Sequence, residues 1–186
     1  MGILAGFDLA SYGCNVYVET GTGKCNTLNK AMSVFDKCFS VDLDTELYNA
    51  AKETYPTAHL VNGLSTDALE AWLTSGHILE TDRVLFFLDA HFPGADFRGA
   101  DYDVDAPDAV PLKRELEIIK QHRPNGKDYI ICDDLRIYCL GPFEEGNVPD
   151  VQVPGGLSFL NNLVEWKYVS LDYRETGYIL IDKREG

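Results

Sequence analysis

Short strand-like segments alternate with helical patterns over most of this sequence. Five segments rich in β-branched and aromatic residues lie at positions 16–20, 39–42, 59–62, 83–89 and 128–133, and such residues favour strands. The run RVLFFLD at 83–89 is almost continuously apolar, which is typical of a central strand that is buried on both faces. Strands that alternate with helices predict a parallel sheet with helices packed on both of its faces.

Apolar residues between these strands recur at helical spacing. Three helical faces are predicted, consisting of Leu47, Ala50, Ala51 and Thr54; of Ala68, Leu69, Trp72 and Leu73; and of Leu112, Leu116 and Ile119. Asp44 and Ser65 are predicted as N-caps, because each is followed by an acid in the first helical turn. The end of the chain, WKYVSLDYRETGYILIDK, holds two strand-like runs around a short connection, which predicts a terminal antiparallel hairpin.

Composition and charge restrict the partners of this chain. Its 186 residues suit one domain, which we expect to span positions 1–186. Thirty acids against sixteen Lys and Arg residues give a formal charge of −14, so phosphate backbones and anionic membranes would be repelled. No apolar run is long enough for a membrane span, and the N-terminus lacks a signal-peptide pattern. Five cysteines without CxxC spacing predict neither disulfides nor zinc, so we expect a cytoplasmic protein without nucleic-acid or membrane partners.

Two long segments without periodicity, at 92–110 and 141–156, follow the fourth and fifth predicted strands. Long loops inside a compact domain often form lids over a binding site. Both segments begin at the carboxyl ends of predicted parallel strands, where open α/β sheets bind their ligands. We therefore expect them to border the functional site.

An acidic residue and two glycines mark the end of the first predicted strand. Glu19, Gly21 and Gly23 form the pattern E-x-G-x-G, and Asp42 ends the next strand about twenty residues later. Glycines let the backbone approach a ligand closely, and an acid at the end of the second strand can accept hydrogen bonds from ribose hydroxyls. Glu19 would repel a pyrophosphate but attract a cationic ligand. The pattern predicts a nucleoside site, with a simple tight turn as the alternative.

These motifs resemble those of the class I S-adenosylmethionine-dependent methyltransferases, over about residues 17–183. The first motif of that family is an acidic residue followed by x-G-x-G. The resemblance implies an α/β, Rossmann-like, doubly wound fold, with a mostly parallel seven-stranded sheet that ends in an antiparallel hairpin. It also implies an S-adenosylmethionine site formed by Glu19, Gly21, Thr22, Gly23, Asp42, Leu43, Leu64 and Ser65. Cys25 departs from the pattern, because many members have a third glycine at that place.

The acids at the ends of the fourth and fifth predicted strands resemble the motifs of a subgroup of that family. Asp89 follows FFL, and Asp133 and Asp134 follow YIIC. Neighbouring strands lie ~4.8 Å apart, so these carboxylates can converge on one point. The layout is similar to that of the divalent-cation-dependent, catechol-type O-methyltransferases, which implies Asp89, Asp133 and Asp134 as ligands of magnesium or another divalent cation. The alternative is that they are loop-start acids and helix caps.

The catalytic base is less well defined by the sequence. Phe92 stands where members of the divalent-cation-dependent subgroup have a lysine that helps to deprotonate the substrate. His91 lies two residues beyond Asp89 and could titrate in the useful range, with a structural, hydrogen-bonded histidine as the alternative. The predicted catalytic residues are therefore His91 and Asp89.

The resemblance implies O-methylation of a small hydroxylated molecule by S-adenosylmethionine, assisted by a divalent cation. Two other hypotheses keep the same fold. One is an NAD(P)-dependent oxidoreductase, and the other is a domain that binds a nucleoside or a protein partner without turnover. Few residues precede the first predicted strand, so we expect the acceptor pocket to be completed by the long loops or by a second subunit of a homo-oligomer.

Overall fold

The computed structural model describes residues 4–91, 109–163, 166 and 168–184. The strands are β1 (Val16–Thr20), β2 (Lys37–Asp42), β3 (His59–Asn62), β4 (Val84–Leu88), β5 (Tyr129–Cys132), β6 (Tyr168–Asp172) and β7 (Tyr178–Asp182). They form one seven-stranded sheet in the order β3-β2-β1-β4-β5-β7-β6. The first five strands pair in parallel, and β7 is antiparallel to both β5 and β6. The predicted sheet with its terminal antiparallel hairpin is confirmed.

Helices cover both faces of this sheet, as predicted. The described α-helices are α1 (Asn26–Met32), α2 (Thr45–Thr54), α3 (Ser65–Thr74) and α4 (Leu112–His122). Side chains alternate along β1, so Val16 and Val18 pack in a core with α3 and α4, whereas Tyr17 packs in a second core with α1. Among the residues that the structure describes, no helix has the length and apolar character needed to cross a membrane.

The predicted helical faces are confirmed for α3 and α4 and only in part for α2. Leu112, Leu116 and Ile119 of α4 are buried, as are Ala68, Leu69 and Trp72 of α3. On α2, Ala51 is buried while Ala50 and Thr54 are exposed. Ala50 and Thr54 are exposed because α2 packs against β2 and the edge strand β3 and therefore covers only the rim of the sheet.

The two predicted N-caps have different outcomes. Asp44 caps α2, since its side chain accepts hydrogen bonds from the N–H groups of Glu46 and Leu47. Ser65 is not a cap, because the extended residue before α3 is Leu64 (φ −67°, ψ 138°) and Ser65 is the first helical residue. No side-chain capping bond forms at this helix start, so capping does not explain the presence of Ser65.

The two predicted long loops are described to different extents. Most of the first, at 92–110, lies outside the described residues. The second, at 141–156, packs onto the body of the protein, where Phe143 is buried. The N–H of Val153 donates to the carbonyl oxygen of Ile137 at 2.7 Å, in the short 3₁₀ helix Leu135–Ile137 that follows β5. This segment therefore lies next to the chain that leaves the end of β5.

The sheet reverses its winding between β1 and β4. From β1 the chain moves outward to β2 and β3, then returns to β4 on the other side of β1 and continues to β5. Open α/β sheets bind ligands at such a reversal, outside the carboxyl ends of the strands. Four predicted site residues stand at the carboxyl ends of β1, β2, β4 and β5, namely Glu19, Asp42, Asp89 and Asp133. The fold therefore gathers them at one edge of the sheet.

Candidate functional site

The loop between β1 and α1 folds back over the end of β2. The backbone N–H groups of Gly21 and Thr22 both donate to the carbonyl oxygen of Val41, at 2.9 and 3.2 Å. The N–H of Gly23 donates to Oδ2 of Asp42 at 2.8 Å. The structure therefore brings together the residues predicted from the glycine motif and from the end of the second strand.

Gly21 and Cys25 both adopt left-handed backbone conformations. Gly21 has φ of +84°, and a Cβ atom there would lie 2.6 Å from the carbonyl oxygen of Asp89. The close approach of the loop to the end of β4 therefore requires glycine. Cys25, where the motif would have its third glycine, has φ of 61° and ψ of 21° and is the N-cap of α1. The backbone conformation at position 25 therefore favours glycine, and the cysteine there is strained.

Glu19 lies at the end of β1 with no exposed surface. Its Oε2 accepts hydrogen bonds from the hydroxyls of Tyr17 and Thr27 at 2.8 and 2.7 Å, and its Oε1 accepts one from Ser40 at 2.7 Å. Burial raises the pKa of Glu19 to about 7, against the lowering effect of these hydrogen bonds. The donors to Glu19 are thus internal hydroxyls, and the carboxylate would act on a cationic ligand through its electric field rather than by contact.

The hydroxyls around Glu19 were missed by sequence reasoning. Ser40 lies opposite Glu19 in the pairing of β1 with β2, and Thr27 lies in the first turn of α1. Ser40, in the middle of the apolar strand β2, could have indicated this cluster, because a buried polar side chain needs a hydrogen-bond partner. Pairing such a serine with the acid of the neighbouring strand would have found this cluster.

Asp42 is half-buried and stands where an acid can bind a ribose. Its Oδ1 accepts the N–H of Asp44 at 2.8 Å, while its Oδ2 accepts that of Gly23. Burial raises the pKa of Asp42, and these two backbone hydrogen bonds lower it. A carboxylate oxygen can accept two hydrogen bonds, so the carboxylate can still accept from ligand hydroxyls. Leu43 beside it is 43% exposed and offers an apolar surface.

The end of β3 is tied to the end of β2. The side-chain amide of Asn62 donates to the carbonyl oxygens of Asp42 and Leu43 at 2.9 and 3.0 Å. Leu64 follows as a half-buried residue, and Ser65 begins α3 with 8% of its surface exposed. Leu64 and Ser65, both predicted in the cofactor site, therefore follow two and three residues after Asn62, whose side chain joins the end of β3 to the end of β2.

The partly buried Asp89 and the buried Asp133 form a carboxyl pair at the ends of β4 and β5. Burial raises the pKa of Asp89, and the charges of Asp133 and Asp134 raise it further. Burial also raises the pKa of Asp133, followed by the charge of Asp134. Thr176 donates to Oδ1 of Asp133 at 2.9 Å, whereas the buried Oδ2 has no hydrogen-bond partner. Adjacent carboxylates of this kind favour sharing one proton.

His91 lies between Asp89 and Asp134. Its Nε2 is hydrogen-bonded to Oδ2 of Asp134 and lies 3.9 Å from Oδ1 of Asp89. Arg136 donates from Nε to Oδ1 of Asp134 at 3.1 Å. Asp134 itself has φ of 54°, a strained conformation for a residue with a side chain, and such strain clusters at functional sites.

The acids predicted to bind a cation stand at neighbouring strand ends, but their arrangement does not form a metal site. Within the described ranges, no three His, Cys, Asp or Glu side chains are placed to hold a metal ion. Oδ2 of Asp133 is a buried acceptor without a partner, which suits a ligand. Both oxygens of Asp134, however, are engaged by His91 and Arg136. The donor set therefore does not fit a divalent cation shared by Asp89, Asp133 and Asp134.

Comparisons with known proteins establish the fold. No protein-family model and no curated protein matches the sequence. A structure from Corynebacterium glutamicum matches with a TM-score of 0.62 and 10% identity, over 99% of this chain and 78% of that one. A Sulfolobus solfataricus protein, provisionally named a type 11 methyltransferase, matches with a TM-score of 0.50 and 10% identity, over 94% of this chain and 87% of that one.

An O-methyltransferase from neocarzinostatin biosynthesis has the same fold. Its structure in complex with S-adenosyl-L-homocysteine and 1,4-dihydroxy-2-naphthoic acid matches with a TM-score of 0.52 and 14% identity. The match covers 97% of this chain and 52% of that chain. At such low identities the similarities show a Rossmann-like methyltransferase fold, and the activity has to be argued from the site.

Proposed function

We propose that this protein is an S-adenosylmethionine-dependent methyltransferase that methylates a hydroxyl group of a small molecule. The proposal is supported by its fold, which it shares with an O-methyltransferase that binds S-adenosyl-L-homocysteine. The formal charge of −14 disfavours a nucleic-acid acceptor, because phosphates would be repelled. A cytoplasmic location and a homo-oligomeric state stay predictions.

The observation that carries the proposal is the hydrogen bond from Gly23 to Asp42 beside the exposed Leu43. It holds the glycine loop of β1 against the acid of β2, at the reversal of the sheet where ligands bind. The carboxylate offers acceptors for ribose hydroxyls, and the leucine offers an apolar contact for a base. Together they suit an adenosine group.

S-adenosylmethionine, when bound, supplies a methyl group on a positively charged sulfur. Asp42 would accept hydrogen bonds from the ribose, Leu43 and Leu64 would contact the adenine, and the backbone at Gly21 and Gly23 would lie against the rest of the ligand. Above about pH 7, where the buried Glu19 carboxylate at the start of this loop is charged, it makes a cation more favourable there than a pyrophosphate. This charge argues for the methyl donor over NAD(P).

The acceptor hydroxyl has to lose its proton as the methyl group is transferred. His91 is hydrogen-bonded to Asp134, and a carboxylate partner orients a histidine and stabilises its protonated form. We assign the proton acceptor to His91 and charge stabilisation to Asp89, which lies 3.9 Å from Nε2 of His91. Alignment of the acceptor with the methyl group can itself lower the barrier by ~7–11 kcal/mol.

Magnesium bound to Asp89, Asp133 and Asp134, expected from the sequence, is not supported by the arrangement of these acids in the described residues, and no step above depends on it. Treatment with a chelator, followed by the addition of magnesium, tests it in the methyl-transfer assay. Activity that is lost on chelation and restored by magnesium would establish the cation. Activity that persists without divalent ions would exclude it.

A thermal-shift panel separates the proposed ligand from the alternatives. A ligand at a hundred times its dissociation constant adds about 2.7 kcal/mol to the stability of the folded state. We expect S-adenosylmethionine and S-adenosylhomocysteine to raise the melting temperature and NAD(P) to leave it unchanged. Stabilisation by NAD(P) alone would support the oxidoreductase hypothesis instead.

Release of S-adenosylhomocysteine from a pool of hydroxylated small molecules tests turnover. We expect His91→Asn to lower the rate at least about a hundredfold, the lower end of what a general base contributes, while S-adenosylhomocysteine still binds. The control is His77→Asn, at an exposed histidine outside the site. If the wild-type protein binds the donor but releases no product with any acceptor, the non-catalytic binding domain becomes the better description.

A further inference from the structure

Two histidines stand together at the edge of the sheet opposite the candidate functional site. His59 is the first residue of the edge strand β3 and therefore lies at the amino edge of the parallel strands. The helix α3 runs back from the carboxyl edge, and His77 follows it after Ser75 and Gly76. The ring centroids of His59 and His77 lie 5.6 Å apart, with 52° between the ring planes. The proposed methyl transfer uses neither ring.

Both imidazole rings pack on the same buried aromatic residue. Phe39 lies opposite His59 in the pairing of β2 with β3, and the two rings stack with their centroids 4.4 Å apart and 13° between their planes. The ring of His77 meets Phe39 edge-on, with a centroid distance of 6.4 Å. Phe39 has no exposed surface and also packs against Trp72 of α3. The core of the protein therefore positions the two histidines.

The backbone around His77 also fixes its position. Gly76 has φ of +80°, and a Cβ atom there would meet nothing within 4 Å, so the glycine serves the left-handed turn that follows α3. Ile78, on the other side of His77, is buried. The chain therefore turns at Gly76 and is anchored at Ile78, which leaves His77 at the surface beside β3.

The ring nitrogens of this histidine pair are open to a ligand. Both residues are exposed, and neither forms a hydrogen bond or an ion pair within the part of the chain that the structure describes. Metal ions bind the neutral form of imidazole. Burial lowers the pKa of His59, and the charges of His77 and Lys37 lower it further. His59 is therefore in the form that binds metals at neutral pH.

The spacing of the two rings suits one metal ion between them. Metal–nitrogen bonds of ~2.0–2.1 Å at a tetrahedral angle place the centroids of two imidazoles about 5–6 Å apart, as found for this pair. Imidazole suits divalent zinc, copper and nickel, whereas magnesium takes oxygen ligands. Lys37 opposes a cation, but its Nζ lies 3.9 Å from Oδ2 of Asp82, and the formal charge of −14 attracts cations to the protein as a whole.

We propose that His59 and His77 together bind a divalent transition-metal ion at the amino edge of β3, with solvent in its remaining coordination positions. The ion joins the edge strand to the chain that follows α3. A ligand that binds only the folded protein stabilises it, so the ion raises the stability of this edge of the sheet. The inference does not rest on the proposed function, and the site differs from the magnesium site expected at Asp89, Asp133 and Asp134 in both place and ligand chemistry.

Isothermal titration of the full chain with nickel chloride at about pH 8 tests the site. Nickel suits imidazole, whereas zinc also takes thiolates, which the five cysteines could offer. We expect one strong site per chain in the wild-type protein. His59→Phe keeps a ring that can stack on Phe39 but removes the ligand nitrogen, and His77→Asn removes the other imidazole. Each should weaken nickel binding at least about a hundredfold, because the second ligand on the same protein binds intramolecularly.

The variant with both substitutions separates one shared ion from two independent sites. If the ion is shared, this double variant should bind nickel about as weakly as either single variant. The matched control is His122→Asn, at the last residue of α4, which should bind nickel like the wild-type protein. Nickel should also raise the melting temperature of the wild-type and control proteins, and should leave that of the other variants unchanged.

Absence of nickel binding to the wild-type protein would overturn the proposed metal site. So would wild-type affinity in either single variant, because a shared ion requires both imidazoles. If His59→Phe does not fold, His77→Asn decides alone, since it changes an exposed side chain. The pair lies at the opposite edge of the sheet from Asp42, so this result is independent of S-adenosylhomocysteine binding, which tests the proposed function.

Discussion

The backbone N–H of Gly23 and Oδ2 of Asp42 are joined by a hydrogen bond of 2.8 Å. The same carboxylate accepts the N–H of Asp44 through its other oxygen. One side chain therefore holds both the loop that follows β1 and the start of the connection that follows β2. Because we also assign this carboxylate to the ribose, loop geometry and ligand binding depend on the same residue.

Asp42→Ala is expected to weaken both stability and ligand binding. Two backbone N–H groups lose their acceptor, which should lower the free energy of unfolding by ~1–3 kcal/mol. Affinity for S-adenosylhomocysteine should fall at least about tenfold, because hydrogen bonds from the ribose to a charged group are lost. Chemical denaturation and isothermal titration measure the two effects. Asp36→Ala, at an exposed acid shortly before β2, is the control, and equal affinities of the two variants would remove Asp42 from the site.

Gly21→Ala and Gly76→Ala compare the same backbone strain with and without a steric conflict. The two glycines have φ of +84° and +80°, but an added Cβ would meet the carbonyl oxygen of Asp89 at 2.6 Å at the first position and nothing within 4 Å at the second. We expect Gly76→Ala to lower the free energy of unfolding by ~1 kcal/mol. Gly21→Ala should lower it by a further ~1–3 kcal/mol and weaken S-adenosylhomocysteine binding. Equal losses would contradict the close crossing of loop and strand.

Much of the fold could be predicted because its signals are local. The apolar run of β4 and the alternation of strands with helices predict a parallel sheet, and parallel strands bring their carboxyl ends to one edge. Asp42 and Asp89 could therefore be placed together without a structure. The exposed side of α2 could not be predicted, because helical spacing at Ala50 and Thr54 does not show that the helix packs at the rim of the sheet.

The partners of the acids could not be predicted, because they come from distant parts of the chain. His91 and Asp134 are 43 residues apart in sequence, and Ser40 reaches Glu19 from the neighbouring strand. Both carboxylate oxygens of Glu115 on α4 are buried without a hydrogen-bond partner, and the apolar spacing of that helix gives no indication of this. Side-chain partners of this kind depend on tertiary packing, which strand and helix periodicity does not specify.

Cys25→Gly and Cys25→Ala remove the same thiol and differ only in a Cβ atom. Cys25 has φ of 61°, a conformation that costs a residue with a Cβ roughly 1–2 kcal/mol. The greater freedom of glycine in the unfolded chain offsets about 0.4–1 kcal/mol of this. We therefore expect the glycine variant to be more stable than the alanine variant by up to about 1.6 kcal/mol in urea denaturation. A more stable alanine variant would contradict the strain assigned to this loop.

The raised pKa of Glu19 predicts that part of the stability is lost as pH rises. The folded protein keeps the Glu19 proton up to about pH 7, whereas an ordinary glutamate releases it near 4.5. The stability that this proton contributes is fully present below about pH 4.5 and is lost as pH rises through about 7. At 1.36 kcal/mol per pKa unit, the loss is roughly 3 kcal/mol.

Glu19→Gln removes this titration while its amide can still serve the surrounding hydroxyls. The free energy of unfolding of the variant, relative to the wild-type protein, should therefore rise by up to about 3 kcal/mol between about pH 5 and about pH 8. Urea denaturation at a series of pH values measures the difference. Glu53→Gln, at an exposed position of α2, should show no such trend. A constant difference for Glu19→Gln would mean that Glu19 titrates normally.

Isothermal titration of the full chain with S-adenosylhomocysteine tests the central claim most directly. We predict binding of one molecule per chain with a dissociation constant below about 1 mM, within the range of ordinary enzyme–substrate affinities, and at least about tenfold weaker binding to Asp42→Ala. The absence of any heat with the wild-type protein at millimolar ligand would contradict a nucleoside site at the Gly23–Asp42 edge.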